Sequence, residues 1–190
     1  TLDTGRLFPS TYQVWEETET KYQLKINAYY PDAKALEKFI NEQGVNSFYK
    51  SIAARKDCCS IRKIEPLTRA LAGANIWITG LRRAQANERS GAQLIEFDSR
   101  FNLIKINPIF DLELEEMWDF VKENKVPYNN LHDQGYPSIG CAPCTRAVQP
   151  GEPLRAGRWW WEADLPKECG LHSRKIKSAE QLDNKGSTQT

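Results

Sequence analysis

Leu36, Phe39 and Ile40 fall at helical spacing between Asp32, suited to an N-cap, and Gly44, suited to a C-terminal stop, which predicts a helix over residues 33–43. Pro9-Ser10 opens another helix running to about residue 22. A third, over residues 58–72, carries Ile61, Ile64, Leu67 and Leu71, ends at Gly73, and is expected to bend at Pro66. Between these helices the apolar period shortens. Residues 1–4 read as the end of a strand turning at Gly5, residues 24–30 alternate in part, and the run at 75–80 suits a buried strand of a parallel sheet. Further strands are predicted at 94–97 and 103–106. Asp111 then caps a predicted helix over 113–124, with Leu114, Trp118 and Val121 facing inward. A polar stretch ends at Asp57, residues 82–89 form a polar loop, and residues 126–173 are loop-rich. Alternating strands and helices predict an α/β fold, and the polar residues 174–190 are expected to be a disordered tail.

The length of 190 residues fits one domain, here placed at 1–173. With 26 Lys+Arg against 25 Asp+Glu, the chain lacks the basic excess of a dedicated nucleic-acid binder, so any cationic site is local. Neither a membrane-length apolar run nor a secretory leader is visible. Five cysteines, an odd number, fit a reduced, cytoplasmic setting better than a disulfide framework. The chain begins at Thr1 without Met, inside the end of a strand, and reads as N-terminally incomplete.

Four of the cysteines form two pairs, Cys58-Cys59 and, 82 positions on, Cys141-Ala-Pro-Cys144. Four thiolates suit a tetrahedral zinc or an iron-sulfur cluster. Adjacent cysteines converge poorly on one ion but reach different corners of a cubane, which tilts the reading toward 4Fe-4S, with zinc and four buried apolar thiols as alternatives. Lys63, four residues after Cys59, is placed either beside such a cluster or in solvent. Cys169 stands apart, and Lys167 and His172 are near enough in sequence to favour its thiolate; the alternative is an incidental surface cysteine.

Arg82, Arg83 and Arg89 share one loop, and Arg146, Arg155 and Arg158 flank the CxxC and the run Trp159-Trp160-Trp161. Such grouping in a near-neutral chain suits an oxyanion pocket, against the plainer reading of scattered surface arginines. Consecutive tryptophans cannot share one face, so at least one is expected in the core and another outside. His132 has no partner pattern and reads as structural.

The motifs LDTGRL at 2–7, CCSIRKIEPL at 58–67, TGLRRAQ at 79–85, IGCAPCTR at 139–146, GRWWWE at 157–162 and ECGLH at 168–172 occur together and in order. In these the chain resembles the cluster-containing assimilatory sulfonucleotide reductases, which act on adenylyl sulfate or phosphoadenylyl sulfate. The resemblance implies an adenine-nucleotide alpha-hydrolase-like, mostly parallel sheet with flanking helices, whose first strand and phosphate-cradling PP-loop are missing here. It implies a 4Fe-4S cluster on Cys58, Cys59, Cys141 and Cys144. It assigns Cys169 as a nucleophile that takes a sulfo group from adenylyl sulfate, with thioredoxin or glutaredoxin then releasing sulfite, and it gives His172 and Lys63 supporting catalytic roles.

By the same resemblance Asp3, Thr4, Gly5, Arg6, Arg83, Arg89, Arg155 and Arg158 bind substrate, residues 157–173 are a mobile catalytic segment, and the protein is a homo-oligomer. The loop at 85–89 departs from the family's usual pattern by lacking its serine. The four-cysteine set favours adenylyl sulfate over its 3′-phosphorylated form. A non-catalytic, zinc-stabilised binding module is the reading from another class.

Overall fold

A computed structural model describes residues 1–86 and 89–162. Helix α1 spans Pro9–Tyr22 and α2 spans Ala33–Gln43, as the apolar spacing predicts. The Asp32 carboxylate accepts the Ala35 N–H at 2.9 Å, and Gly44 closes α2 at a positive φ that favours glycine. The strand predicted at 24–30 is reduced to one parallel bridge between Leu2 and Tyr29. Around it, Asp3 N–H donates to the Tyr29 carbonyl and Tyr29 N–H to that of Thr1.

Glu19 joins α1 to this bridge by accepting from the Trp15 indole, the Ile26 N–H and the Lys25 ammonium. The Ile26 bond, then those from Lys25 and Trp15, lower its pKa to about 2. A depressed carboxylate stabilises the fold above its ordinary value of 4.5 and loses that contribution as pH falls toward 2. Glu19→Gln is therefore expected to lower the urea midpoint at pH 7, with the gap to the parent closing between pH 4.5 and 2; parallel curves throughout would refute it.

The third helix begins earlier than predicted. Helix α3 runs Ile52–Cys59, capped by the Ser51 hydroxyl on the Ala54 N–H, so the end of the supposed polar stretch is helical. A π-turn over Ser60–Ile64 leads into α4, Glu65–Leu71. Pro66 has no N–H to donate back to residue 62 and its ring crowds that carbonyl, so the bend falls as a widened turn just before the proline.

Strands β1 (Ile76–Ile78), β2 (Ile95–Asp98) and β3 (Leu103–Ile106) form a sheet in the order β1-β3-β2. β1 pairs parallel and β2 antiparallel with β3, so the α/β sheet is mixed rather than mostly parallel. On one face Lys105 is buried, 3.1 Å from Glu96 and over the Trp77 ring. The other face leaves Ile76, Ile78, Ile95, Phe97 and Ile104 exposed among the described residues, against the expectation that β1 is a buried strand. Helix α5, Leu114–Glu123, starts from a capping box of Glu113 and Glu116 instead of the predicted Asp111. Residues 126–162 carry only short 3₁₀ turns, including Asn130–Gln134 and Ala142–Cys144.

The main core cluster packs Phe39, Phe48 and Trp159 around the four paired cysteines. None of the described helices is long and apolar enough to cross a membrane.

Candidate active site

Both cysteine pairs line one small cavity, walled also by Phe48, Pro143, Arg6, Arg55, Arg62 and Lys63. Cys58 and Cys59 end α3, while Cys141 caps and Cys144 ends a 3₁₀ turn in which the Cys144 N–H donates to the Cys141 carbonyl at 2.9 Å. All four thiols are free and buried. Burial pushes the Cys58 thiol up, opposed by the Arg62 guanidinium. Burial, then the Cys141 and Cys59 thiols, push Cys144 up to about 12, with Lys63 opposing.

The loop at 2–7 is threaded into this wall. Thr4 Oγ1 lies 3.2 Å from Cys141 Sγ, the Ala142 N–H donates to the Arg6 carbonyl at 2.8 Å, and Arg62 donates to the Thr4 carbonyl at 2.5 Å. Asp3 is buried and accepts from the Gly5 N–H and the Tyr12 hydroxyl. Gly5 adopts φ +69, and the Arg6 guanidinium, lying over Phe48, donates to the Val45 carbonyl. Of Asp3 through Arg6, Arg6 lines the thiol cavity and Thr4 touches Cys141.

Lys63, whose spacing left it either beside the thiols or in solvent, lines the cavity. Sequence reasoning passed over Arg55 and Arg62, both buried there. Their signal was the same helical spacing that flagged Lys63, since Arg55 precedes Cys59 by four residues and Arg62 follows Cys58 by four.

A larger cleft of about 350 Å³ opens nearby, lined by Gly80, Arg82, Gln85, Trp118, His132 and Arg155 among others. Leu114, Trp118 and Val121 line it from α5 as one stripe, but none of the three is buried and Leu114 is exposed, so they face the cleft and not the core as expected. Arg155 and Arg158 converge on the Ser138 hydroxyl, at 3.1 and 3.3 Å, and Arg158 also donates to the Ile139 carbonyl. Ser138 carried no distinctive sequence signal, whereas Arg82 belongs to the arginine grouping read as suited to an oxyanion pocket. His132, read as structural, lines the cleft edge-on to Trp118, and burial holds it below the usual imidazole range, hence neutral at pH 7.

Arg83 and Arg89 do not line this cleft. Arg83 donates to the Ala92 carbonyl and lies over Phe110, and Arg89 donates to Gln85, which itself lines the cleft. Cys169 and His172 lie outside the described residues.

The segment expected to be mobile starts firmly attached. Thr145 and Arg158 form an antiparallel bridge, the Arg146 N–H donates to the Gly157 carbonyl, and the Trp159 N–H donates to that of Cys144. A side chain at Gly157 would overlap the Arg146 carbonyl oxygen, so only glycine permits this approach. Trp159 is 1% exposed and Trp160 40%, the division expected of consecutive tryptophans. Residues 163–173 of that segment lie outside the described residues.

Four buried thiols ringed by two helical arginines, Arg6 and Lys63 make a soft, anionic donor set inside a cationic shell, which fits a negatively charged iron-sulfur cluster. Among the described residues, no group of three or more His, Cys, Asp and Glu is disposed to hold a metal ion.

Residues 1–147 match the family model described as the phosphoadenosine phosphosulfate reductase domain. The chain is 50% identical to an adenosine 5′-phosphosulfate reductase of Rhizobium tropici, over 95% of this chain and all of that protein. It is also 50% identical to the protein of that name from Allochromatium vinosum, over 93% of this chain and 69% of that one. Among solved structures it is similar to a phosphoadenylyl-sulfate reductase from Candida auris in complex with phosphate, with a TM-score of 0.64 and 31% identity over 77% of this chain and 69% of that one.

Proposed function

The chain belongs to the phosphoadenosine phosphosulfate reductase domain family, and we propose that it reduces adenylyl sulfate to sulfite and AMP, with Cys169 as the nucleophile. One observation carries this reading: Ser138, which lines the guanidinium-bearing cleft, stands three residues before Cys141 of the four-thiol cavity, so one short loop links an oxyanion site to a cluster site. The Cys169 thiolate attacks the sulfuryl sulfur, the bond from that sulfur to the phosphate oxygen breaks, and AMP leaves with the electron pair. A dithiol reductant, thioredoxin or glutaredoxin, then attacks Cys169 Sγ. Sulfite departs, and the second thiol of the reductant closes a disulfide, supplying the two electrons.

Cys58, Cys59, Cys141 and Cys144 are the residues that would hold a 4Fe-4S cluster, which when bound adds a fixed negative charge balanced by the surrounding cations and a tie between two distant segments. The protein's own residues do the rest. Arg155 and Arg158, preset by Ser138, neutralise the charge that grows on the leaving phosphate and the sulfuryl oxygens. Lys63 places an ammonium at the thiol cavity, and neutral His132 offers the cleft a hydrogen-bonding edge without adding charge.

Arg155→Ala is expected to lower kcat/KM for adenylyl sulfate by roughly 10²-fold, the usual cost of removing one charge-stabilising donor. Steady-state sulfite release checks it, and a change under threefold would place the anion elsewhere. The reading as a whole is tested by iron, sulfide and zinc analysis of anaerobically purified protein with the nucleotide assay run on both adenylyl sulfate and its 3′-phosphorylated form. About four iron and four sulfide per chain, with turnover of adenylyl sulfate, supports it. Stoichiometric zinc without sulfide would replace it with a binding module.

A further inference from the structure

We infer that Arg55 and Glu162 are positioning residues that fix the root of the Cys169 segment to the helix bearing Cys58 and Cys59. This rests on the proposed role of Cys169. Arg55 Nε and a terminal guanidinium nitrogen both donate to the Glu162 carboxylate, at 2.7 and 2.9 Å. The pair is sealed from solvent, with side chains 3% and 4% exposed.

Three further contacts make this a junction between functional parts. Arg55 interacts with the Cys59 thiol and precedes that residue by one helical turn. Its guanidinium stacks 4.5 Å from the Trp159 ring centre, and Arg158, which shares the Ser138 hydroxyl with the cleft's Arg155, lies 4.8 Å from the same ring. The Glu162 N–H donates to the Trp159 carbonyl at 2.9 Å, closing a turn against the stacked indole. One buried knot therefore joins the thiol cavity, the arginines at Ser138 and the last described residue.

Cys169 follows Glu162 by seven residues, so its Cα lies within about 25 Å of that anchor however the chain runs. Seven residues left untethered at the root would spread Cys169 over a far larger volume. A buried ion pair contributes little net stability relative to an apolar pair of similar size, so its role here is geometric.

The test compares the cluster-loaded parent with the double variant Arg55→Met/Glu162→Met, whose apolar pair still packs on Trp159; Glu162→Gln alone strands a buried cation and tests folding more than position. In the first measurement the two proteins make cysteine S-sulfonate in a single turnover, read by intact mass. The second is a pulsed-EPR distance between nitroxides on Cys169 and on an introduced Lys56→Cys, an exposed position of α3. We expect KM within twofold, S-sulfonation per cluster-loaded chain at least tenfold slower, and a distance distribution at least twice as broad in the double variant. Parental S-sulfonation of the loaded chains, or an unbroadened distribution, would overturn the inference. A parent that never forms the S-sulfonate counts against Cys169 as nucleophile, while the distance measurement still decides the anchoring role.

Discussion

Cys169→Ser is expected to release no measurable sulfite from adenylyl sulfate, a loss on the order of 10⁴-fold or more, while keeping its iron, its sulfide and its affinity for nucleotide. The split follows from the layout. Four thiols are buried around one cavity, and the fifth lies beyond Glu162 in the chain, outside that set. A hydroxyl at position 169 is a far weaker nucleophile at neutral pH than a thiolate. The measurement is a reductant-coupled sulfite assay beside iron analysis and nucleotide binding on one preparation. Residual turnover within tenfold of the parent would remove Cys169 from the chemistry, and loss of iron would make it part of the cluster site.

Cys141→Ser is expected to act through the other half of the site. Cys141 touches Thr4, and its neighbour Ala142 bonds to Arg6, so the residue links the loop at 2–7 to the CxxC turn. Losing one of four ligands releases the group, and with it the cross-link between segments 82 positions apart. A cross-link closing a loop of that size contributes roughly 4 kcal/mol in the chain-entropy picture, a large share of a domain's typical 5–15 kcal/mol. The region 126–146 has no regular helix or strand to hold it alone. Limited proteolysis should therefore cut first between residues 126 and 146 in the variant and not in the parent. Full iron content with a parental digestion pattern would show that three thiols and the surrounding packing suffice.

Local pattern made much of the fold legible. The bounds of α1, α2 and β3 follow from proline, cap and apolar spacing alone. Where the reading slipped, a nonlocal or competing term decided. Helix α3 hides because its buried face is Arg55 and two cysteines, residues that polarity counts as a loop. Glu113 outcompetes Asp111 as cap because Glu116 completes a reciprocal box. The site divides the same way. Two cysteine pairs announce a shared centre because soft ligands have few other reasons to group. By contrast, nothing near Arg55 points to Glu162, 107 residues away, and nothing in the loop at 2–7 announces its contact with Cys141.

The distance between the two cysteine pairs also bears on how the protein is made. Synthesis at about 5–20 residues per second separates the appearance of Cys59 from that of Cys141 by roughly 4–16 s. Through that interval two adjacent thiols have neither their partners nor the indole that will cover them, because Trp159 emerges later still. They are then open to oxidation and to capture by stray metal. For the proposed cluster, assembly would then call for a reducing milieu and for delivery of iron and sulfide after the chain has passed residue 159. Producing the chain in a thiol-oxidising host should yield a soluble population blocked at Cys58 and Cys59, with normal helices and no iron.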